Sequence, residues 1–405
     1  MRIAIVGGGT GGVVTAASLC SHLPKWCKVD CIYDPNLPTF GVGEALNHSF
    51  FQVLRKATNY SIPFDLEESD ARVKHGVMLS DWKDGDGYIP LSVNGLHMNT
   101  FKLREFVFKR LHLYWKHKFS EIHKQVIGIS QTKSKVTIKT DNETLTYDYV
   151  FDCRGVPELD HTYETPNSIS VNSVILNICD KPCDLDYTYH VAHKDGWMFG
   201  IPIHTRSAWG YLFNRDITDQ EEAVKNCSEL LKTHRISKYI DRDYLRENIK
   251  ILHFNHYYSK KCVNNRIIRN GNRLYTFEPL HGYAVPTFLN VCEFSLEYIF
   301  GDISEDRFNQ KYKNLLSSLE ELICFHYHKG SIHNTKFWNY AKERSLKRLE
   351  GSEIMKLALD KEFTRERAVT LENIWTTTPS VHPYFLWEID QALEFGYFNH
   401  LNLNT

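Results

Sequence analysis

A run of glycines set directly after a short apolar strand constrains this chain more than any other feature. Residues 3–6 read as a buried strand, Gly7-Gly8-Gly9-Thr10-Gly11-Gly12 fits G-x-G-x-x-G, and residues 13–23 read as a helix. A second strand follows over 29–33, with Asp34 at its end. The glycines permit a tight turn and a close backbone approach, and helix N-terminal amides meet a pyrophosphate with the favourable end of the helix dipole. An acidic side chain after the second strand accepts hydrogen bonds from ribose hydroxyls. Gly7, Gly9, Thr10, Gly12 and Asp34 are therefore candidate dinucleotide contacts, with a purely structural glycine turn as the alternative.

The bulk chemistry narrows the partners. With 48 Lys and Arg against 49 Asp and Glu, the 405-residue chain carries a net charge of −1 and has no basic field for a nucleic-acid backbone. Its ten cysteines form no C-x-x-C pair and no His/Cys zinc spacing, so they read as reduced thiols of a cytoplasmic protein, and no metal site is expected. Met1 leads straight into the first strand and not into a signal peptide, and no apolar run approaches the roughly 20 residues that span a bilayer. A soluble protein without a membrane partner is expected.

The loop over 35–43 is punctuated by Pro and Gly, and helical character follows to about residue 59. Residues 74–82 read as a strand and 98–115 as an amphipathic helix. Strand patterns over 126–138, 143–147 and 148–153 predict a return to the opening sheet. Four alternating segments (171–178, 187–192, 196–203 and 208–213) predict a second sheet laid against the first. Helices are expected over 219–233, 305–328 and 336–361.

Several short motifs carry a family resemblance. Asp195-Gly196-Trp197-Met198-Phe199-Gly200-Ile201-Pro202 resembles the G-W-x-W-x-I-P signature of flavin-dependent halogenases, with Phe199 in place of the second tryptophan. Gly41-Val42-Gly43-Glu44-Ala45 is similar to their flavin-covering G-x-G-E-A loop, and Phe277-Glu278-Pro279-Leu280 to their E-P-L segment at the flavin and halide site. Phe325-His326-Tyr327 and Phe337-Trp338 match helical H-Y and F-W patterns of the same family, and 147–155 resembles the segment that re-enters the sheet in FAD-dependent oxygenases. The chain resembles a short member of the tryptophan halogenase family.

The resemblance implies an α/β fold: an FAD-binding Rossmann-type (GR2-like) domain, a second sheet packed on it and a mostly helical C-terminal part. The expected boundaries are 1–160 with roughly 262–300 for the discontinuous FAD domain, 161–261 for the substrate-side sheet and helices, and 301–405 for the helical region. Gly43, Glu44, Asp152, Gly155, Gly271, Asn272 and Pro279 join the implied FAD contacts; Asn272 departs from the family's Gly-Asp pair and loses its charge. Reduced FAD, supplied by a separate flavin reductase, and oxygen are implied to oxidise a halide, bromide or iodide before chloride, which then halogenates a small electron-rich aromatic substrate.

Lys74, within Arg72-Val73-Lys74-His75-Gly76-Val77, resembles the stretch that holds the family's catalytic lysine. A lysine on a half-buried strand can hydrogen-bond hypohalous acid or form a haloamine, and desolvation favours its neutral, nucleophilic form. The bland alternative is a surface lysine. Trp197, Phe199 and Pro202 are implied to wall the flavin from the substrate; otherwise they are core residues of a sheet. The amides of Tyr283 and Ala284 align with the halide-binding turn. The family's glutamate after E-P-L is replaced by His281, which could act as a base or be a structural substitution, and Glu278 is the other candidate. An oligomer is possible. The rival readings are an FAD-dependent aromatic hydroxylase and a non-catalytic FAD-fold binding protein.

Overall fold

The computed structural model describes residues 1–37, 41, 43–82, 87–239, 249–280 and 282–352. The chain opens as β1 (Arg2–Val6), α1 (Thr10–His22) and β2 (Lys28–Tyr33). It continues through β3 (Glu44–Leu46), α2 (His48–Thr58), β4 (Ala71–Ser80), β5 (Gly87–Met98), α3 (Thr100–Tyr114) and β6 (Phe119–His123). Next come β7 (Val126–Gln131), β8 (Val136–Thr140), β9 (Thr144–Tyr147), β10 (Tyr149–Asp152) and β11 (Tyr163–Glu164). The middle of the chain supplies β12 (Ser173–Cys179), β13 (Tyr187–His193), β14 (Gly196–Pro202), β15 (Ser207–Phe213) and α4 (Gln220–Thr233). Short strands β16 (Lys250–His253), β17 (Tyr257–Ser259), β18 (Val263–Asn264), β19 (Ile267–Arg269) and β20 (Tyr275–Thr276) precede α5 (Ala284–Phe300), α6 (Glu305–Lys329) and α7 (Lys336–Leu349).

The first sheet runs β18-β19-β10-β1-β2-β6 and is parallel except where β18 meets β19. Both faces of β1 are covered, so Ile3, Ala4 and Ile5 are fully buried and the strand reads as an unbroken apolar run. On one face lies α1, buried from Gly11 to Ser21, with α2, α3 and α5 packed around it. On the other lies the antiparallel meander β7-β8-β9, whose Val136, Ile138 and Tyr147 pack on Ala4, Val6, Ile32 and Val150.

This corrects one expectation. Of the strand patterns between 126 and 153, β10 alone enters the opening sheet; β7 to β9 make a sheet of their own because the polar residues 132–135 break the first pattern into a hairpin. α1 also begins at Thr10, so Gly11 and Gly12 lie inside its first turn. α5 was not foreseen as a helix, since residues buried on nearly every side leave no apolar stripe to read.

The second sheet runs β16-β12-β15-β14-β13-β4-β5-β3, antiparallel except for the β13–β4 pair. Alternation sorts its side chains. Tyr189, Val191, Met198, Tyr211 and Phe213 pack beneath α4, whereas Ala192, Trp197, Phe199 and Leu212 face the core shared with the first sheet. The expected strands over 171–213 and helices over 219–233 and 305–328 are present, and α7 covers the first part of 336–361. Residues 353–405, which complete the expected C-terminal region, lie outside the described residues. All ten cysteines are buried and free. Among the described residues no helix is long and apolar enough to cross a membrane, and no group of three or more His, Cys, Asp or Glu could hold a metal ion.

Candidate active site

The glycine turn is shaped by contacts that exclude side chains. Gly7 has φ +123°, and a Cβ there would meet the Cys153 carbonyl oxygen at 2.3 Å. A Cβ on Gly12 would stand 1.9 Å from the Gly7 oxygen, whereas one on Gly9 would meet nothing within 4 Å. Gly9 is the N-cap of α1 and makes no side-chain capping bond, so the turn presents helix N-terminal amides to open space. That arrangement fits the pyrophosphate of a dinucleotide.

Around it the other expected contacts are dispersed. Asp34 follows β2 with one carboxylate oxygen taken by the Asn36 backbone and side-chain amides. The Asp152 carboxylate is engaged by Arg154, at 2.8 Å to both oxygens, and by Arg273 at 3.3 Å. Gly155 has φ +79°. Gly271, at φ +65°, touches the start of α1, and Asn272 next to it is exposed.

A cavity of about 140 Å³ opens between the second sheet, the 272–284 segment and α6. Lys74, Phe199, Asn272, Glu278, Pro279, Tyr283, Ala284, Gly43 and Glu44 all line it, although they come from distant parts of the chain. Lys74 is buried, only 8% exposed, on β4. In a regular strand Lys74 and Val77 would point to opposite faces, yet both line the cavity; the register with β5 shifts between Lys74 and Gly76, and such irregularities re-aim side chains. Phe199 lies over Gly210 of β15, where a Cβ would come within 2.3 Å of the ring, and Trp209 lies likewise over Gly200. Gly210 thus leaves room for the ring of the signature aromatic Phe199.

Trp197 and Pro202 do not line the cavity. Trp197 is fully buried behind it, and Pro202 ends β14. His281 lies outside the described residues. Thr188 and His190, alternate residues of β13, line the cavity and were missed; their inward period beside the outward Tyr189 and Val191 was the available signal.

Two carboxyl groups there are strongly shifted. Burial pushes Glu44 up to about 7 against the opposing hydrogen bond from Thr10 Oγ1 (2.8 Å), which ties β3 to the glycine turn. Burial pushes Glu278 up to about 8, against the hydrogen bond from the Tyr327 hydroxyl at 2.8 Å. Its Oε2 is buried without a hydrogen-bond partner among the described residues, a cost of roughly 1–3 kcal/mol for an isolated polar atom.

The sign of the pH effect follows. Between 4.5 and about 8 the unfolded chain ionises Glu278 while the folded chain keeps its proton, so the stability present below 4.5 is lost as pH rises through 8. Glu278→Gln is expected to match wild type in acid and to exceed it in alkali by on the order of a few kcal/mol. Urea melts at the two pH values check this; a difference that widens towards acid would sink it.

Tyr283 is the N-cap of the long helix α5 and Ala284 its first residue, so backbone amides at the positive end of a helix dipole also meet the cavity. The arrangement brings a lysine, a carboxyl group raised by burial and an anion-favouring helix end to one cavity beside the glycine turn.

A family model of tryptophan halogenase matches residues 2–172 and 170–376. The chain belongs to the tryptophan halogenase family. The chain is 22% identical to tryptophan 6-halogenase ThaL of Streptomyces albogriseolus, over 85% of this chain and 79% of that protein. It is 20% identical to tryptophan 7-halogenase RebH of Lentzea aerocolonigenes, over the same shares. Its fold matches that of BrvH, a flavin-dependent halogenase from Brevundimonas sp. BAL3, with a TM-score of 0.74 at 17% identity, covering 98% of this chain and 90% of that one. A tryptophan halogenase from Shewanella frigidimarina NCIMB 400 matches with a TM-score of 0.72 at 18% identity, covering 90% and 84%. The architecture of this family member is therefore the FAD-binding halogenase fold.

Proposed function

We propose that the protein halogenates a small electron-rich aromatic molecule at the cavity lined by Lys74 and Glu278. The observation that carries this reading is the convergence of Lys74, Glu278, Phe199 and the α5 N-terminus on one cavity, tied to the glycine turn through Glu44 and Thr10. FAD would be held by the amides at Gly9 and Thr10, by Gly7 and Gly12 through close approach, by Asp34 at the ribose, and by the 43–44, 152–155 and 271–279 segments along its length. Bound in its reduced form after delivery by a separate reductase, it supplies, with oxygen, the two-electron oxidation that turns a halide into hypohalous acid.

Each side chain then has a defined task. The amides of Tyr283 and Ala284 hold the halide. The Lys74 side chain hydrogen-bonds the hypohalous acid and directs its halogen at the substrate, and Phe199 walls the cavity. As the halogen passes to the ring carbon, Glu278 gives its proton to the departing hydroxyl, which leaves as water. The resulting carboxylate takes the proton from the same ring carbon, restoring both the aromatic ring and the acid. Bromide and iodide, being easier to oxidise, are expected before chloride.

Halide dependence separates this reading from the hydroxylase reading. With reduced FAD supplied by a generic reductase, consumption of phenols or indoles should stop when halide is omitted. Undiminished consumption without halide would favour the hydroxylase.

A further inference from the structure

Behind the cavity three buried polar groups form a hydrogen-bonded chain. An indole N–H donates and cannot accept. Trp197 Nε1 lies 2.8 Å from the Tyr327 hydroxyl oxygen, and that oxygen lies 2.8 Å from Glu278 Oε1. The hydroxyl accepts from the indole and donates its single proton to Glu278 Oε1. Oε1 is thereby an acceptor, and when Glu278 is neutral its own proton has one position left, on Oε2, the oxygen without a partner among the described residues. The geometry is locked: the Tyr327 ring is fully buried, with ring centroids of Trp82, Trp338 and Phe337 at 5.9, 5.8 and 6.4 Å.

We infer that Trp197 and Tyr327 are positioning residues that orient Glu278 and keep its exchangeable proton on Oε2. The inference rests on the reading of Glu278 as acid and then base. It gives the signature tryptophan a task that an aromatic wall does not need, since a wall requires the ring but not the N–H. It also links two motifs, one on β14 and one on α6, to the E-P-L segment between them. Burial, which holds Glu278 protonated at neutral pH, supports the assignment. Among the described residues, the other titratable groups on the cavity are Lys74 from β4, Glu44 from β3, His190 from β13, and Tyr275 and Tyr283 from the segment before α5.

The test combines turnover with infrared spectra of the full chain carrying FAD, each spectrum taken against that of Glu278→Gln so that the Glu278 carboxyl band is assigned by its loss. In Tyr327→Phe the carbonyl loses its donor: the band should move to higher frequency and kcat should fall about tenfold, with KM within about twofold. In Trp197→Phe the hydroxyl regains freedom to accept from Glu278, so the band should split and kcat should fall less. Trp197→Phe alone carries the test if Tyr327→Phe does not fold. An unmoved band in Tyr327→Phe, an unsplit band in Trp197→Phe, or wild-type kcat in either, overturns the inference. If Glu278→Gln has lost turnover, the inference has failed alone; wild-type turnover in Glu278→Gln would overturn the acid–base reading with it.

Discussion

Lys74→Ala is expected to lower halogenated product formation by about 10²–10⁴-fold, the range for loss of a group acting directly in the transition state. The side chain is buried on β4, and a register shift beside it turns it into the cavity with Glu278 and the α5 N-terminus. Its substitution leaves the glycine turn untouched, so flavin affinity should remain close to wild type. Lys74→Arg should not restore activity, because a guanidinium is larger, planar and permanently charged where a compact amine is needed. Product formation by mass spectrometry beside a flavin-fluorescence titration reads both quantities. Turnover within about threefold of wild type in Lys74→Ala would remove this residue from the chemistry.

The second large effect lies at the other end of the site. Gly12→Ala would drive a methyl group to 1.9 Å from the Gly7 oxygen, a backbone clash that no rotamer relieves. The turn must shift, at a cost of roughly 1–3 kcal/mol or more, and the displaced amides should weaken FAD binding by about 10- to 100-fold. Gly9→Ala is the informative partner, since its methyl meets nothing within 4 Å and its φ of −80° suits any residue. It should melt with wild type and yet bind FAD less well, because the methyl enters the space left for the phosphates. Thermal melts with and without FAD separate the two. Equal FAD affinity in wild type and Gly9→Ala would place the cofactor elsewhere.

What could be read in advance divides along physical lines. The strand, glycine turn and helix over residues 2–22 were legible because each constraint is local: a buried strand, a turn that tolerates no Cβ, and amides at a helix start. The strands of the second sheet were legible from alternation, and the family from the order of its motifs. The hairpin within 126–140 was not, since a strand pattern does not say which sheet it joins. The inward direction of Lys74 depends on a register shift with β5, which pattern alone does not register. Tyr327 stood in a recognised motif, but its bond to Glu278 joins residues far apart in the chain. The strand glycine Gly210 could have signalled the placement of Phe199, because glycine inside a strand marks a close approach.

In the proposed chemistry the oxidising equivalents end on a halide and then on carbon. Its most direct test is the mass of the product formed from an electron-rich phenol or indole with bromide, oxygen and enzymatically reduced FAD. The expected product bears the paired isotope signature of one bromine and falls by about 10²–10⁴-fold when Lys74→Ala replaces wild type. A product heavier by one oxygen and free of bromine would contradict it.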